Sequence, residues 1–279
     1  MTLPFKPAAA LCATCLWLGP VAAQPAPDAG VDALYDALAL EGMVAVMRVE
    51  GLDYGAEIAE GMFDGRAPAG WSEAVSAIYD AEAMQQSLRD GMAEALDGAE
   101  IAPMIDFFAD GPGRRLVALE LSAREALLDE DVEAAAREAA ALAMAEETPR
   151  FELVDRFVEA NDLIEANLVG ALNANYAFSL GLLEGGGFDG ALSEDEILLQ
   201  VWSQEEEIRR STTEWVYSFL NLAYQPAEEA DLEAYIAFSE TATGGDLNRA
   251  MFEAFDAMFS DISRDLGRAA AAAMAGQDI

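Results

Sequence analysis

Two stretches of the chain carry the same residues at one fixed separation. "IDFFADGPGRRL" holds Phe107, Gly113 and Leu116, and "IAFSETATGGDL" holds Phe238, Gly244 and Leu247. Each of the second three lies 131 residues after its counterpart, as 238 − 107, 244 − 113 and 247 − 116 all show. Other short marks recur in the same order. Phe-Asp-Gly stands at 63–65 and again at 188–190, and Trp71-Ser72 is matched by Trp202-Ser203. Recurrence in fixed order points to a structural unit used twice, which restricts the chain to architectures built from two like parts.

The unit is helical. Ala, Leu, Glu and Met, the best helix formers, dominate, and runs with strand alternation are scarce. Gly and Pro gather at a few joints, at 64–70, 111–113, 148–150, 184–190, 225–229 and 243–245, and these divide the chain into helices of ordinary length. The expected fold is all-α and bundle-like, with two repeated copies built on αα-hairpins over 31–145 and 146–279. The second copy is marked off by Thr148-Pro149, an N-cap followed by Pro at the first helical position.

Each repeated stretch reads as a corner between two helices. Ile101, Met104, Ile105 and Phe108 form one incoming apolar face, and Leu232, Tyr235, Ile236 and Ser239 the other. Asp110 and Thr241 occupy the capping place, and Gly113 and Gly244 the place of close approach. Leu116, Leu119, Ala123 and Leu127 continue as one outgoing stripe, and Leu247, Met251, Phe255, Met258 and Ile262 as the other. Trp71 and Trp202 are expected to anchor the core of each copy.

These residues resemble the bacterial envelope family catalogued as domain of unknown function 2059, whose signature is Phe-aromatic-x-Ser/Thr-Pro-x-Gly-x-x-apolar. Phe107, Phe108, Asp110, Gly113 and Leu116 fit it once, with Gly111 where Pro is usual. Phe238, Thr241, Gly244 and Leu247 fit it again, with Ser239 in place of the aromatic and Ala242 in place of Pro. The resemblance implies a small helical exported protein, in two copies, and it carries over no catalytic residue.

The N-terminus points the same way. Lys6, the apolar run "PAAALCATCLWLGPVAA" and the small residues Val21 and Ala23 make a signal peptide over 1–23, cleaved near Ala23, with a flexible Pro-rich leader over 24–30. The expected location is periplasmic or secreted. Cys12 and Cys15 both fall inside that segment and the chain has no His. This removes Ser-His-Asp and Cys-His nucleophile pairs, structural zinc and the usual neutral-pH proton shuttle. The net charge is −37, and Lys6 is the only Lys. Such a field repels nucleic acid and anionic membrane surfaces, so neither is an expected partner.

Three groupings bear on chemistry. "GGGFDGALSEDE" resembles the back half of an EF-hand loop with Glu196 at the bidentate position, but Gly185 and Gly187 stand where two ligands belong. Ser193 capping a helix with Glu196 at N3 accounts for the same residues. Carboxylates in apolar context are Asp106 and Asp256, and helical phase puts Asp256 off the 251–255–258 stripe and toward solvent. Arg114-Arg115 and Arg209-Arg210 are read as surface pairs with neighbouring acids rather than an anion clamp. No catalytic, metal or cofactor residue is assigned and no enzymatic activity is expected. The expected function is a structural or protein-interaction module with a protein partner in the cell envelope. The alternatives are a carboxylate-dependent envelope hydrolase, or a binder of a small ligand or cation between the two copies.

Overall fold

The structure, a computed structural model, describes residues 27–63, 67–187 and 193–276. The signal segment, Gln24–Ala26 of the leader, Asp64-Gly65 of the first Phe-Asp-Gly and all of the second lie outside them. Among the described residues the fold is all-α, with thirteen helices and no strand. They are α1 (Pro27–Ala37), α2 (Leu40–Met62), α3 (Trp71–Ile78), α4 (Ala81–Ala95), α5 (Ala102–Ala109), α6 (Gly111–Ala126), α7 (Glu130–Ala145), α8 (Pro149–Ala160), α9 (Leu163–Glu184), α10 (Glu194–Trp202), α11 (Glu205–Tyr224), α12 (Glu229–Ser239) and α13 (Ala242–Met274). Helix α1 begins at Pro27, inside the stretch read as a leader over 24–30. Its residues Val31, Leu34 and Tyr35, with Leu38 just beyond its end, follow helical spacing and are all buried, so core packing fixes α1.

The order and the neighbours of α1–α6 recur in α8–α13. Helix α1 packs on α4 and α5, and α2 on α3, α4 and α6; α8 packs on α11 and α12, and α9 on α10, α11 and α13. Each long second helix begins after a left-handed residue, Ala39 (φ 52°) before α2 and Asp162 (φ 50°) before α9. The hydrogen bonds leading into α2 and α9 correspond. Leu38 N–H donates to Leu34 O and Ala39 N–H to Asp36 O; Asn161 N–H donates to Phe157 O and Asp162 N–H to Glu159 O. Helix α7 has no separate counterpart and packs on α11 and α8, burying Ala136 and Ala140.

The two sets are not side-by-side lobes, because each sends one helix into the other. Helix α6 packs on α11 and α12, and its Leu116 and Ala123 join the core built by Leu153, Val154, Phe157, Leu220 and Leu232. Helix α13 packs on α3, α4 and α5 as well as on α9, and its Leu247, Ala254 and Met258 join the core of Leu34, Leu88, Met92 and Phe108. The repeated turns sit where these exchanges begin. Phe107 stacks face to face on Phe238, with centroids 4.3 Å apart and planes 7° apart. Phe108 meets Phe238 edge-on at 5.5 Å, and Tyr235 packs against both Phe108 and Phe157. The aromatic residues of the two turns thus pack against each other.

The turn glycines have one shared task. A Cβ at Gly113 would lie 2.4 Å from Phe107 O, and one at Gly244 would lie 2.1 Å from Phe238 O. Each new helix starts tucked beneath the last carbonyls of the old one, and a side chain there collides with backbone. The caps differ. Thr241 Oγ1 accepts from Gly244 N–H at 3.0 Å, whereas Asp110 has N-cap backbone angles but accepts no capping bond. The first turn relies instead on Gly111 at φ +73° followed by Pro112.

Trp71 is a core residue, 2% exposed, and its Nε1–H donates to Gly55 O at 2.8 Å. Trp202 is not, being 55% exposed. Trp71 opens α3 facing α2, whereas Trp202 closes α10, so the shared Trp-Ser pair occupies opposite helix ends. No helix among the described residues is long and apolar enough to cross a membrane.

Candidate functional site

A cleft of about 290 Å³ lies where the two sets meet. Both sets contribute to it at corresponding positions. Leu38 and Leu40 before and at the start of α2 are matched by Asn161 and Leu163 at α9, Val117 of α6 by Asn248 of α13, and Phe108 by Ser239. Met43 and Met47 of α2, Trp215 and Phe219 of α11, and Phe252 and Phe255 of α13 complete mostly apolar walls. Helical spacing explains this. Residues 43 and 47, 215 and 219, and 248, 252 and 255 are one turn apart and share a face.

One carboxyl group lines the cleft. Glu120 sits on α6 one turn beyond Leu116, and Tyr224 Oη–H donates to its Oε1 at 2.5 Å. Protein atoms surround it closely, yet part of its surface faces the cleft. Burial pushes its pKa up from the ordinary range to about 7, against the Tyr224 hydrogen bond, which lowers it. Burial also holds the Tyr224 and Tyr235 phenols well above their usual value. Arg124, one turn further along α6, makes a two-pronged ion pair with Glu50 of α2 (2.8 and 2.7 Å), and its guanidinium lies 4.6 Å from the centroid of the Trp215 ring. Arg124 thus joins three helices at the cleft, and its charge is already matched.

Each amide of the lining gives one N–H to a backbone carbonyl. Asn161 Nδ2 donates to Phe157 O (2.9 Å), Asn167 Nδ2 to Leu163 O (2.7 Å) and Asn248 Nδ2 to Asn161 O (2.9 Å). Each keeps its carbonyl oxygen and a second N–H. Together with Glu120 they give an apolar chamber a small set of polar groups, the composition of a small-molecule site.

The sequence groupings fall elsewhere. Asp106 is exposed, and Asp256 is half-buried and accepts from Asn173 Nδ2 at 3.0 and 3.1 Å. Arg115 is paired in bidentate fashion with Asp231 of α12 (2.7 and 2.6 Å), which locks α6 onto the other set. Arg114 faces Asp110 at 3.9 Å, Arg209 bonds Glu165 and Glu205, and Arg210 bonds Glu207. Ser193 and Glu196 form a full capping box at the start of α10, with Ser193 N–H on Glu196 Oε2 at 2.9 Å and Glu196 N–H on Ser193 Oγ at 3.3 Å. Residues 188–192 of the EF-hand-like stretch lie outside the described residues, and among the described residues no cluster of three or more acids is placed to hold a metal ion.

Sequence reasoning missed Glu120. Its signal was an acid in "RLVALELSARE" one turn from Leu116 and three residues from Val117, on the buried side of the outgoing stripe. Comparison with protein-family models, with curated proteins and with solved structures finds no match.

Proposed function

We propose that this protein is an exported helical binding protein that holds a small, largely apolar ligand in the cleft between its two helix sets. The observation that carries the reading is the cleft itself, an apolar chamber of about 290 Å³ with one carboxyl group of raised pKa on its wall. A glycosidase-type hydrolase needs a second free carboxylate across from the first. The other acid near this cleft, Glu50, is held by Arg124. The signal-like N-terminus supports export, and the recurring turn and helix order support an internal duplication. The short signature supports kinship with the envelope family of unknown function 2059.

A neutral apolar dye, N-phenyl-1-naphthylamine, tests this. Its fluorescence should rise on binding the wild-type chain. The rise should be lost when Met47→Trp and Met251→Trp fill the cleft, with the melting temperature little changed. No dye binding, or equal binding by the filled variant, would refute the reading.

A second reading, a protein-interaction module of the envelope, rests on α10. Leu198, Leu199 (71% exposed) and Trp202 form an apolar face there that no described helix covers.

A further inference from the structure

We infer that the cleft takes an organic cation, an ammonium or quaternary ammonium head on an apolar body. The inference rests on the cleft being a ligand site, and three independent features give the ligand its charge.

The first is the polar inventory. Glu120 is an acceptor when ionised, and Asn161, Asn167 and Asn248 have each given an amide N–H to a backbone carbonyl. The one cationic side chain of the lining, Arg124, is already neutralised by Glu50. An anionic ligand would meet a carboxyl group and no unpaired cationic side chain in the lining, with only the second N–H of each amide to offset the repulsion. The second is the aromatic wall. Trp215 and Phe219 stack at 5.3 Å with planes 13° apart, and Phe252 and Phe255 face the same chamber from α13. Ring faces attract cations, and Arg124 over Trp215 shows this wall already doing so from one side. The third is the long-range field. A net charge of −37 concentrates cations at the surface and depletes anions, so encounter favours a positive ligand.

A cation entering the chamber also resolves the state of Glu120. Burial holds the carboxyl's pKa up, and an ammonium within a few ångströms would favour its ionised form. The groups that face Glu120 are Tyr224 on α11 and Tyr235 on α12, while Arg124, one turn along its own helix, is turned to Glu50. Both phenols stay neutral around neutral pH, where Glu120 changes charge.

Calorimetric titration with three six-carbon probes tests the inference: hexyltrimethylammonium, hexanol and hexanoate, at about 0.15 M salt so that surface charge is screened. Wild type should bind one hexyltrimethylammonium per chain, at least about tenfold more tightly than hexanol, with Trp215 fluorescence responding and hexanoate weakest. Glu120→Gln keeps an acceptor for Tyr224 and should bring the cation and hexanol to within about threefold of each other. Glu138→Gln, an exposed acid on α7, should leave the preference intact. In wild type the cation should bind more tightly as pH rises from about 6 to about 8, while hexanol should not respond. Hexanol or hexanoate binding as tightly as the cation, or Glu120→Gln retaining the full preference, would overturn the cation inference and leave the cleft standing. Failure of all three probes would overturn the cleft as a ligand site.

Discussion

Helices α6 and α13 leave the two repeated turns in the same way, yet their surroundings differ. Helix α13 runs 33 residues and is sealed against α9, where Gly181 and Gly267 bring the two backbones into contact. Helix α6 runs 16 residues and meets its own partner, α2, more loosely, through the Arg124–Glu50 pair and Leu121 over Gly42. Counting 131 residues on, Glu120 and Arg124 of α6 correspond to Met251 and Phe255 of α13, and all four line the cleft. The difference teaches where the cleft gets its character. Its shape comes from both helices, but its carboxyl group and its guanidinium come from one.

The sharpest way to break this contrast is to add a methyl group at each crossing. A Cβ on Gly267 would stand 2.1 Å from Phe178 O, and one on Gly181 would stand 2.0 Å from Arg264 O. Backbone cannot step aside, so the helices must part. Gly267→Ala should cost more than about 3 kcal/mol, the upper end for overpacking. Gly42→Ala should cost less than about 1 kcal/mol, because the nearest atom, 2.7 Å away, is the end of the Leu121 side chain, which can rotate. Chemical denaturation of the two variants decides the matter. Equal losses would show that α2 and α6 are sealed as tightly as α9 and α13.

The next largest effect concerns the exchange. Leu116 and Leu247 are equivalent, nearly fully buried, and sit in opposite cores. Leu116→Ala and Leu247→Ala should each lower stability by about 2–4 kcal/mol, as buried leucines do. A much smaller loss at Leu116 would mean that α6 docks weakly on the second set.

The sequence carried the contrast only in part. Helix existence and the turns were legible because caps, glycines and apolar spacing act locally: Thr148 caps α8 by accepting from Phe151 N–H, and Ser193 caps α10. The exchange of α6 and α13 was not legible, since an apolar stripe does not name the core it enters. Helical interior glycines such as Gly181 look like weak points until the partner helix is known. Trp202 misled for a related reason. Its match to Trp71 is one of spelling, and the two residues stand at opposite ends of their helices. The cleft was least legible, because Glu120 and Tyr224 lie 104 residues apart and only the exchange brings them together.

The pH dependence tests the polar side of the contrast. In the folded chain Glu120 keeps its proton up to about pH 7, whereas in the unfolded chain a Glu releases it near its ordinary value of 4.5. The folded state therefore binds more protons between these values. The stability linked to Glu120 is fully present below the unfolded pKa and is lost as pH rises through the folded one. Glu120→Gln should remove this loss, leaving the variant more stable than wild type by on the order of 1–3 kcal/mol at about pH 8 and by much less at about pH 5. Thermal melts of both proteins across that range give the difference directly. Parallel curves would mean that Glu120 ionises normally and that the cleft is wetter than its walls imply.

The smallest expected effect separates the two turns from which α6 and α13 start. Thr241 Oγ1 accepts from Gly244 N–H, and its loss in Thr241→Ala leaves a first-turn donor without a partner, which should cost about 1 kcal/mol. Asp110 holds the corresponding place with no such bond, and its carboxylate is exposed and 3.9 Å from Arg114. Asp110→Ala should cost only about 0.2–0.5 kcal/mol, the scale of an exposed pair one helical turn apart. The first turn tolerates the weak cap because Gly111 and Pro112 already set the backbone for the start of α6. Gly111→Ala should accordingly cost more than Asp110→Ala, since a φ of +73° strains any residue with a side chain. If urea midpoints instead place Asp110→Ala level with Thr241→Ala, the carboxylate caps the helix in solution after all. The two turns would then be equivalent in mechanism as well as in shape.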